Sequence, residues 1–318
     1  MFHFWIICGV LFPALLAQTR GADGQAEAGA PQTAPSYRLS VAVDEVSLTF
    51  HAADVHGLPV NDLKLEELGL LDNGRAPRKV LAFQALLDFP IRAGILMDLS
   101  ESMQATRAAD RGIAIDYTRR LLRKETDQAF VMNFRTLSNV AQTWSSDAGA
   151  LTEGIRNLTG VPAGGRDGTA IFDAVYRACL NQFGRIENAA SGNFILLFSD
   201  GEDNASRASL KQAVDMCQHA NTVIYAFRPG GAGGGSTGPR TLEQLTSESG
   251  GQVFRDNATE AEINDDLRMI EADVRNQYRL IYRPPELKHD GSFHRIVLKT
   301  PERVDSLVIR SGYYAPFR

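Results

Sequence analysis

The pattern of apolar and polar positions divides residues 38–318 into three segments of two kinds. Residues 38–87 and 276–318 contain short alternating segments separated by turn residues, which predicts β-strands. Between them, residues 88–275 alternate short apolar runs with stretches of helical periodicity. Strands that alternate with helices pair in parallel through right-handed crossovers. The pattern predicts an α/β fold with a doubly wound, mostly parallel sheet, flanked by two β-rich segments that can pair into one sandwich.

The individual elements follow from the same periodicities. We predict strands at 39–43, 46–50, 68–70, 81–85, 91–98, 128–134, 140–144, 193–199, 223–227, 277–283, 292–300 and 306–310. We predict helices at 103–124, 147–158, 170–186, 206–220, 240–249 and 259–275, the first of them capped by Ser102 or a neighbour. The tripeptide Asp72-Asn73-Gly74 is a strong hairpin signal.

The amino-terminal segment is typical of an export signal. Residues 4–17 are apolar but fall short of the roughly 20 residues that a membrane helix needs. We therefore expect a signal peptide over 1–22, a flexible Gly-, Ala- and Gln-rich linker over 23–37, and no membrane span in the mature chain. No Lys or Arg precedes the apolar run, and Leu15 stands where a small residue is usual, so an uncleaved anchor is the alternative. Either way the protein is expected to be exported, in a periplasm or outside the cell.

Composition and charge narrow the class of protein. The chain has 318 residues, of which 44% are hydrophobic and 22% charged, enough to bury a full core in more than one domain. Its formal net charge is −5 with acidic and basic residues interspersed, which argues against binding to nucleic acid. After signal cleavage two cysteines remain, Cys179 and Cys217. An even pair in an exported protein favours a disulfide, although two small buried residues on helices would look the same.

Candidate ligand residues lie in three loops that connect the predicted strands and helices. Asp98, Ser100 and Ser102 come directly after one strand, Thr169 precedes a helix, and Asp200 ends a later strand. Parallel strands expose their carboxyl ends on one edge of a sheet, so these oxygens are expected to converge there. An oxygen-only cluster suits a hard divalent cation. Each residue taken alone could instead be an ordinary helix cap or turn residue.

The same residues carry a family resemblance. Asp98-Leu99-Ser100-Glu101-Ser102 is similar to the D-x-S-x-S motif of the von Willebrand factor A domain, Gly168-Thr169 with Asp173 to its second motif, and Ser199-Asp200-Gly201 to its third. The flanks resemble a narrower subgroup, the VWFA-related acidobacterial proteins. That likeness lies in residues 57–63, 72–74, 278–282, 293–294 and 312–314.

The resemblance implies an intact metal-ion-dependent adhesion site (MIDAS). Ser100, Ser102 and Thr169 would coordinate magnesium or manganese through their hydroxyls, and Asp98 and Asp200 would hold the ion directly or through water. A site with mostly neutral direct ligands leaves the cation under-neutralised, so its open position attracts a carboxylate. The implied partner is a protein that supplies an Asp or Glu side chain.

We therefore expect a non-enzymatic, cation-dependent binding or adhesion module. The alternative is a magnesium-dependent hydrolase of phosphate or ester substrates, for which only Arg166 offers a phosphate clamp and no G-x-S-x-G or H-E-x-x-H motif is present. A third possibility is a structural scaffold with a vestigial site. The Gly-rich residues 229–239 lack the features of a phosphate-binding loop, and Glu202, Asp203 and Asp167 are expected to be solvated.

Overall fold

A computed structural model describes residues 45–88, 90–159, 168–184, 192–230, 236–286 and 288–315. The strands are β1 (Val46–Ala53), β2 (Gly69–Asp72), β3 (Lys79–Leu86), β4 (Ile91–Asp98), β5 (Gln128–Phe134), β6 (Ser138–Ser145), β7 (Gly192–Phe198), β8 (Thr222–Arg228), β9 (Val253–Arg255), β10 (Gln277–Arg283), β11 (Phe293–Lys299), β12 (Ser306–Ile309) and β13 (Gly312–Tyr314). The α-helices are α1 (Arg107–Arg120), α2 (Ala148–Arg156), α3 (Ile171–Ala178), α4 (Leu210–His219), α5 (Gly238–Ser249) and α6 (Glu260–Arg275).

A six-stranded sheet with the order β6-β5-β4-β7-β8-β9 forms the centre of the molecule. All of its neighbouring strands are parallel except β5 and β6, which are antiparallel. Only three residues, 135–137, connect β5 to β6, and a link that short allows only antiparallel pairing. The predicted doubly wound, mostly parallel α/β fold is confirmed.

Helices cover both faces of this sheet, and each face has its own apolar core. In the central strand β4, Ile95 and Met97 pack into the core shared with α1, α2 and α6, whereas Leu96 packs into the core shared with α3, α4 and α5. A strand buried on both faces needs apolar residues at successive positions, which explains the continuous apolar run that ends at Asp98.

The β-rich ends of the chain form two further sheets, with the orders β12-β1-β10-β3 and β13-β11-β2. Strand β1 from the amino-terminal segment pairs with β10 and β12 from the carboxyl-terminal segment. Residues of both sheets share one apolar core, including Leu48, Leu70, Leu280 and Ile296. The predicted pairing of the two ends into one sandwich is therefore confirmed.

The Asp72-Asn73-Gly74 turn forms, but it does not close a hairpin between β2 and β3. Asn73 and Gly74 adopt the positive φ angles, 49° and 76°, that such a turn requires. Strand β2 pairs with β11 while β3 pairs with β10, so the turn carries the chain from one sheet of the sandwich to the other. The local sequence therefore determines the turn conformation, whereas pairing with β10 and β11 determines which sheets the turn connects.

Several helix boundaries differ from the prediction for local reasons. A 3-10 helix, Glu101–Ala105, precedes α1, which has Thr106 rather than Ser102 at its N-cap. Helix α3 ends in a π-turn, Cys179–Phe183. Helix α4 starts at Leu210, not at residue 206, because the backbone N–H groups of 207 and 208 donate to the side chain of Asp173. Strand β9 is only three residues long and was not predicted.

The two remaining cysteines are bonded to each other. The disulfide Cys179–Cys217 joins the π-turn after α3 to α4, and both residues are fully buried. This decides between the two alternatives that the sequence left open. Among the described residues, no helix is both long enough and apolar enough to cross a bilayer. The predicted signal peptide 1–22, the linker 23–37 and the strand 39–43 lie outside the described residues.

Candidate metal centre

The loop after β4 brings three of the predicted ligands together. The backbone N–H of Ser100 donates to Oδ1 of Asp98 at 2.8 Å, which folds the chain back immediately after the strand. The 3-10 turn that begins at Glu101 then places the Ser102 hydroxyl 3.1 Å from the Ser100 hydroxyl. Asp98 and Ser100 are buried, and Ser102 is exposed. The loop thus holds two hydroxyl oxygens side by side, that of Ser100 buried and that of Ser102 exposed.

Ser199, which the sequence placed in the third motif without a role, fixes the second oxygen of Asp98. Its hydroxyl donates to Oδ2 of Asp98 at 2.7 Å and accepts the backbone N–H of Gly201 at 3.2 Å. The parallel register of β4 and β7 explains this contact, because it places Met97 opposite Phe198. The residues that follow these two positions must therefore be neighbours at the end of the sheet.

Asp200 lies close enough to Asp98 for their charges to interact. Its Oδ1 accepts the backbone N–H of Glu202 at 3.0 Å. The intervening Gly201 has a φ of +87°, and a Cβ there would lie 2.1 Å from the carbonyl oxygen of Gly238. Only glycine permits this close approach of the two chain segments.

Burial raises the pKa of Asp98 to about 6. The backbone N–H of Ser100 and the hydroxyls of Ser199 and Ser100 counter part of this shift, and the charge of Asp200 adds to it. The buried Asp98 carboxylate and the half-buried Asp200 carboxylate repel each other. A bound cation would relieve both the burial cost and the repulsion.

Thr169 is attached to the loop that follows Asp200. Its backbone N–H donates to Oδ1 of Asn204 at 2.8 Å, and its carbonyl accepts the backbone N–H of Asn204 at 3.0 Å. The next residue, Ala170, donates its backbone N–H to the carbonyl of Arg135 at the end of β5. The N-cap position of α3 is Ala170, so the Thr169 hydroxyl is not its cap. Within the described residues, no hydrogen bond joins Thr169 directly to Asp98 or Asp200.

Glu202 and Asp203 are partly exposed and also connect loops through hydrogen bonds, a role that the sequence did not indicate. Oδ2 of Asp203 accepts the backbone N–H of Phe172 at 3.1 Å and the hydroxyl of Ser206 at 2.6 Å. Glu202 accepts the backbone N–H of Gly238 at 2.8 Å, and its hydrogen bonds, the one from Ser236 foremost, lower its pKa. Arg166 and Asp167 lie outside the described residues.

The donor set at this edge fits a hard divalent cation. Ligands on adjacent corners of an octahedron with metal–oxygen distances near 2.1 Å lie about 3 Å apart. The 3.1 Å between the hydroxyl oxygens of Ser100 and Ser102 matches that spacing. Across the described ranges, no cluster of three or more His, Cys, Asp or Glu side chains could hold a metal, so a cation here would depend on the serine hydroxyls. Hydroxyl and carboxylate oxygens favour Mg²⁺ or Mn²⁺ over softer metals.

Comparison with known families agrees with the fold and with the position of this loop. Residues 94–202 match the von Willebrand factor type A domain model. The matched range contains all the predicted ligands, from Asp98 to Asp200. A comparison with curated proteins finds no match.

Several solved structures have a similar fold. The conserved hypothetical protein BatB from Bacteroides thetaiotaomicron is 15% identical, with a TM-score of 0.46 over 57% of this chain and 97% of that one. The von Willebrand factor type A protein from Catenulispora acidiphila is 14% identical, with a TM-score of 0.46 over 86% and 73%. Proximal thread matrix protein 1 from the mussel byssus, solved with a zinc-occupied MIDAS motif, is 18% identical, with a TM-score of 0.49 over 64% and 50%.

Proposed function

We propose that this protein is an exported, non-enzymatic binding module that captures a protein partner through a divalent cation. The cation, Mg²⁺ or Mn²⁺, would be held by the hydroxyls of Ser100, Ser102 and Thr169 and, directly or through water, by Asp98 and Asp200. The observation that carries the proposal is the paired geometry of the first loop, in which two hydroxyl oxygens 3.1 Å apart lie beside a buried carboxylate.

The expected partner group follows from the charge of the donor set. Neutral hydroxyls supply most of the direct ligands, so the cation keeps much of its positive charge. A carboxylate from another protein offsets that charge, and it can exchange with water at the exposed side of the loop, where Ser102 lies. An Asp or Glu side chain of the partner is therefore the ligand that this site would select.

The disulfide supports the export part of the proposal. Disulfides form and persist mainly in oxidising compartments such as the periplasm or the cell exterior. The Cys179–Cys217 bond is buried beside the helices that follow Thr169 and Asp200.

The magnesium-dependent hydrolase gains no support from the histidine contacts. Nδ1 of His51 donates to the carbonyl oxygen of Asn276 at 2.6 Å, and Nδ1 of His294 lies 2.8 Å from Oδ1 of Asp72. Both residues are buried in the sandwich strands, not at the carboxyl edge of the central sheet. They serve as structural hydrogen-bonding groups there.

The decisive experiment separates cation binding from folding. Titration calorimetry should detect Mg²⁺ or Mn²⁺ binding to wild-type protein, and the cation should raise its melting temperature. Asp98→Ala, together with the isosteric Asp98→Asn, should abolish both effects while the far-ultraviolet circular dichroism stays unchanged. Asp116→Asn is the matched control, because Asp116 is a partly exposed carboxylate on α1 that contacts Arg120. Unchanged cation affinity in the Asp98 variants would refute the metal site.

A second step tests partner capture. Wild-type protein immobilised on a resin should retain a partner from the native envelope fraction in magnesium and release it in chelator. The Asp98→Asn resin should retain none, and the Asp116→Asn resin should behave as wild type. Replacing the contacting acid of the identified partner by its amide should remove the interaction. Capture that persists in chelator would instead favour a scaffold with a vestigial site.

A further inference from the structure

A cavity of about 580 Å³ lies in the sandwich, between strands β2 and β3. The chain changes sheets between these two strands, and each of them is an edge strand of its own sheet. Because the two edge strands do not pair with each other, the sheets leave a gap at this side. The 3-10 helix Leu65–Glu67, the β2–β3 connection, Leu280 and Lys299 contribute the rest of the lining. The volume is within the roughly 300–1,000 Å³ that small-molecule sites occupy in proteins.

The walls of this cavity are aliphatic. Leu70 and Leu280 belong to the sandwich core, and Leu65, Leu68 and Val80 pack against that core while remaining partly exposed. Among the described residues that line the cavity, none has an aromatic ring, a hydroxyl group or a side-chain amide. Apart from its cationic side chains, the lining therefore offers a ligand apolar contact and no side-chain hydrogen bond.

Three cationic side chains are part of the same lining, Arg78, Lys79 and Lys299, and all three are exposed. Nε of Arg78 donates to the carbonyl oxygen of Pro285 at 2.9 Å, which anchors the guanidinium without neutralising it. Lys79 and Lys299 form no ion pair and no side-chain hydrogen bond with any described residue. No acidic side chain is among the described residues that line the cavity. The lining thus combines aliphatic walls with a net positive charge.

Lys299 connects the apolar wall to the charged group. It lies opposite Gly69 in the register of β11 and β2, and a Cβ on Gly69 would be 3.3 Å from Cβ and 3.6 Å from Cδ of Lys299. The aliphatic stem of Lys299 therefore lies across the glycine, where a larger residue would push it away. A lysine whose stem covers apolar surface keeps its ammonium group in water at the end of that surface.

We propose that this cavity binds a long-chain fatty acid, with its alkyl chain against the leucine walls and its carboxylate near Lys79, Lys299 and Arg78. The charge of the lining selects an anion, and the aliphatic walls select a ligand whose other atoms are apolar. A cationic amphiphile would be repelled, and an acid with further polar groups would bury them without partners. Burial of the alkyl chain supplies most of the affinity, since exposed ion pairs contribute little.

The test compares amphiphiles that differ in one property at a time. Purified protein, freed of bound lipid on a hydrophobic resin, is titrated by calorimetry with sodium laurate at concentrations too low for micelles to form. We expect one laurate to bind per chain. Dodecyltrimethylammonium, which has the same chain length and a cationic head, should not bind. Butyrate, which keeps the carboxylate but lacks most of the alkyl chain, should not bind either.

Two sets of variants locate the bound laurate. Lys79→Gln with Lys299→Gln should lower the laurate affinity about tenfold, because two exposed ion pairs are lost. Ala76→Trp, at an exposed lining position in the β2–β3 connection, should abolish binding by filling the cavity. Lys124→Gln with Lys288→Gln is the matched control, because these lysines are also exposed but do not line the cavity. Circular dichroism of each variant checks that the fold persists.

The contrary results each overturn the proposal. If laurate does not bind, the cavity is not an alkyl site. Equal binding of laurate and dodecyltrimethylammonium would show unspecific apolar adsorption, and the lysines would then only protect the edge strands from pairing. Equal laurate affinity in the wild type, the Lys79→Gln with Lys299→Gln protein and the Ala76→Trp protein would place the ligand elsewhere. The cation site is tested separately, since neither chelator nor Asp98→Asn should change laurate binding.

Discussion

The hydroxyl of Ser199 donates a 2.7 Å hydrogen bond to Oδ2 of Asp98 and so joins the ends of two neighbouring strands, β7 and β4. The other oxygen of Asp98 accepts the backbone N–H of Ser100. The carboxylate is thus held at both oxygens, and its orientation is set before any cation binds. Loss of a group that orients a metal ligand in this way typically lowers metal affinity about 10- to 100-fold.

We therefore predict that Ser199→Ala weakens cation binding without removing a ligand. The affinity for Mg²⁺ should fall about tenfold, as is typical when an orienting hydrogen bond is lost. Calorimetric titration measures the change. Ser247→Ala is the control, because Ser247 is an exposed serine on α5 whose hydroxyl contacts only the carbonyl of Gln244 among the described residues. Equal affinities of the Ser199→Ala and wild-type proteins would show that Ser199 plays no positioning role.

The main features of the fold were accessible from the sequence because they depend on local pattern. The continuous apolar run before Asp98 predicted a strand covered on both faces, and helical periodicity predicted the covering layers. The alternation of apolar and polar residues at both ends of the chain predicted the strands of the sandwich. The partners of the Asp72-Asn73-Gly74 turn could not be predicted, since a turn signal does not say which strands pair.

The roles of the residues that complete the site were missed because no periodicity marks them. Ser199, Asn204 and Asp203 act through contacts to chain segments about 30 to 100 positions away. By contrast, the burial of Asp110 in α1 could be predicted from the sequence. This residue lies at i, with Ile113 at i+3 and Tyr117 at i+7, so helical geometry places it on the buried face of α1. A carboxylate on the apolar face of a predicted helix indicates a buried polar group that needs a partner.

The raised pKa of Asp98 makes cation binding depend on pH. Burial is the main cause of the shift to about 6, and a cation requires the deprotonated carboxylate. Protons therefore compete with Mg²⁺ as the pH falls through 6. We predict an affinity that is constant above roughly pH 7 and falls about tenfold per pH unit below pH 6. Titration calorimetry between pH 5 and pH 8 measures this dependence.

Protonation of Asp98 does not unfold the metal-free protein, so unfolding would not explain a loss of cation affinity at low pH. Because its pKa is higher in the folded protein than in the unfolded chain, the folded state binds more protons between about pH 4 and pH 6. For this group alone, the metal-free fold gains stability as the pH falls through that window. Circular dichroism at pH 5 checks that the fold is retained. Equal affinities at pH 5 and pH 7.5 would contradict the competition with protons.

The Cys179–Cys217 disulfide joins the two elements that follow the second and third ligand loops. It links the π-turn after α3, which starts just after Thr169, to α4, which follows the loop of Asn204. The two cysteines are 38 positions apart, and closing a loop of that size stabilises a fold by about 2–4 kcal/mol. We predict that Cys179→Ser with Cys217→Ser lowers the free energy of unfolding by that amount in urea titrations. Reductant present during unfolding should lower the stability of the wild type similarly and leave the double variant unchanged. An equal effect of reductant on both proteins would show that the bond is not the source of the difference.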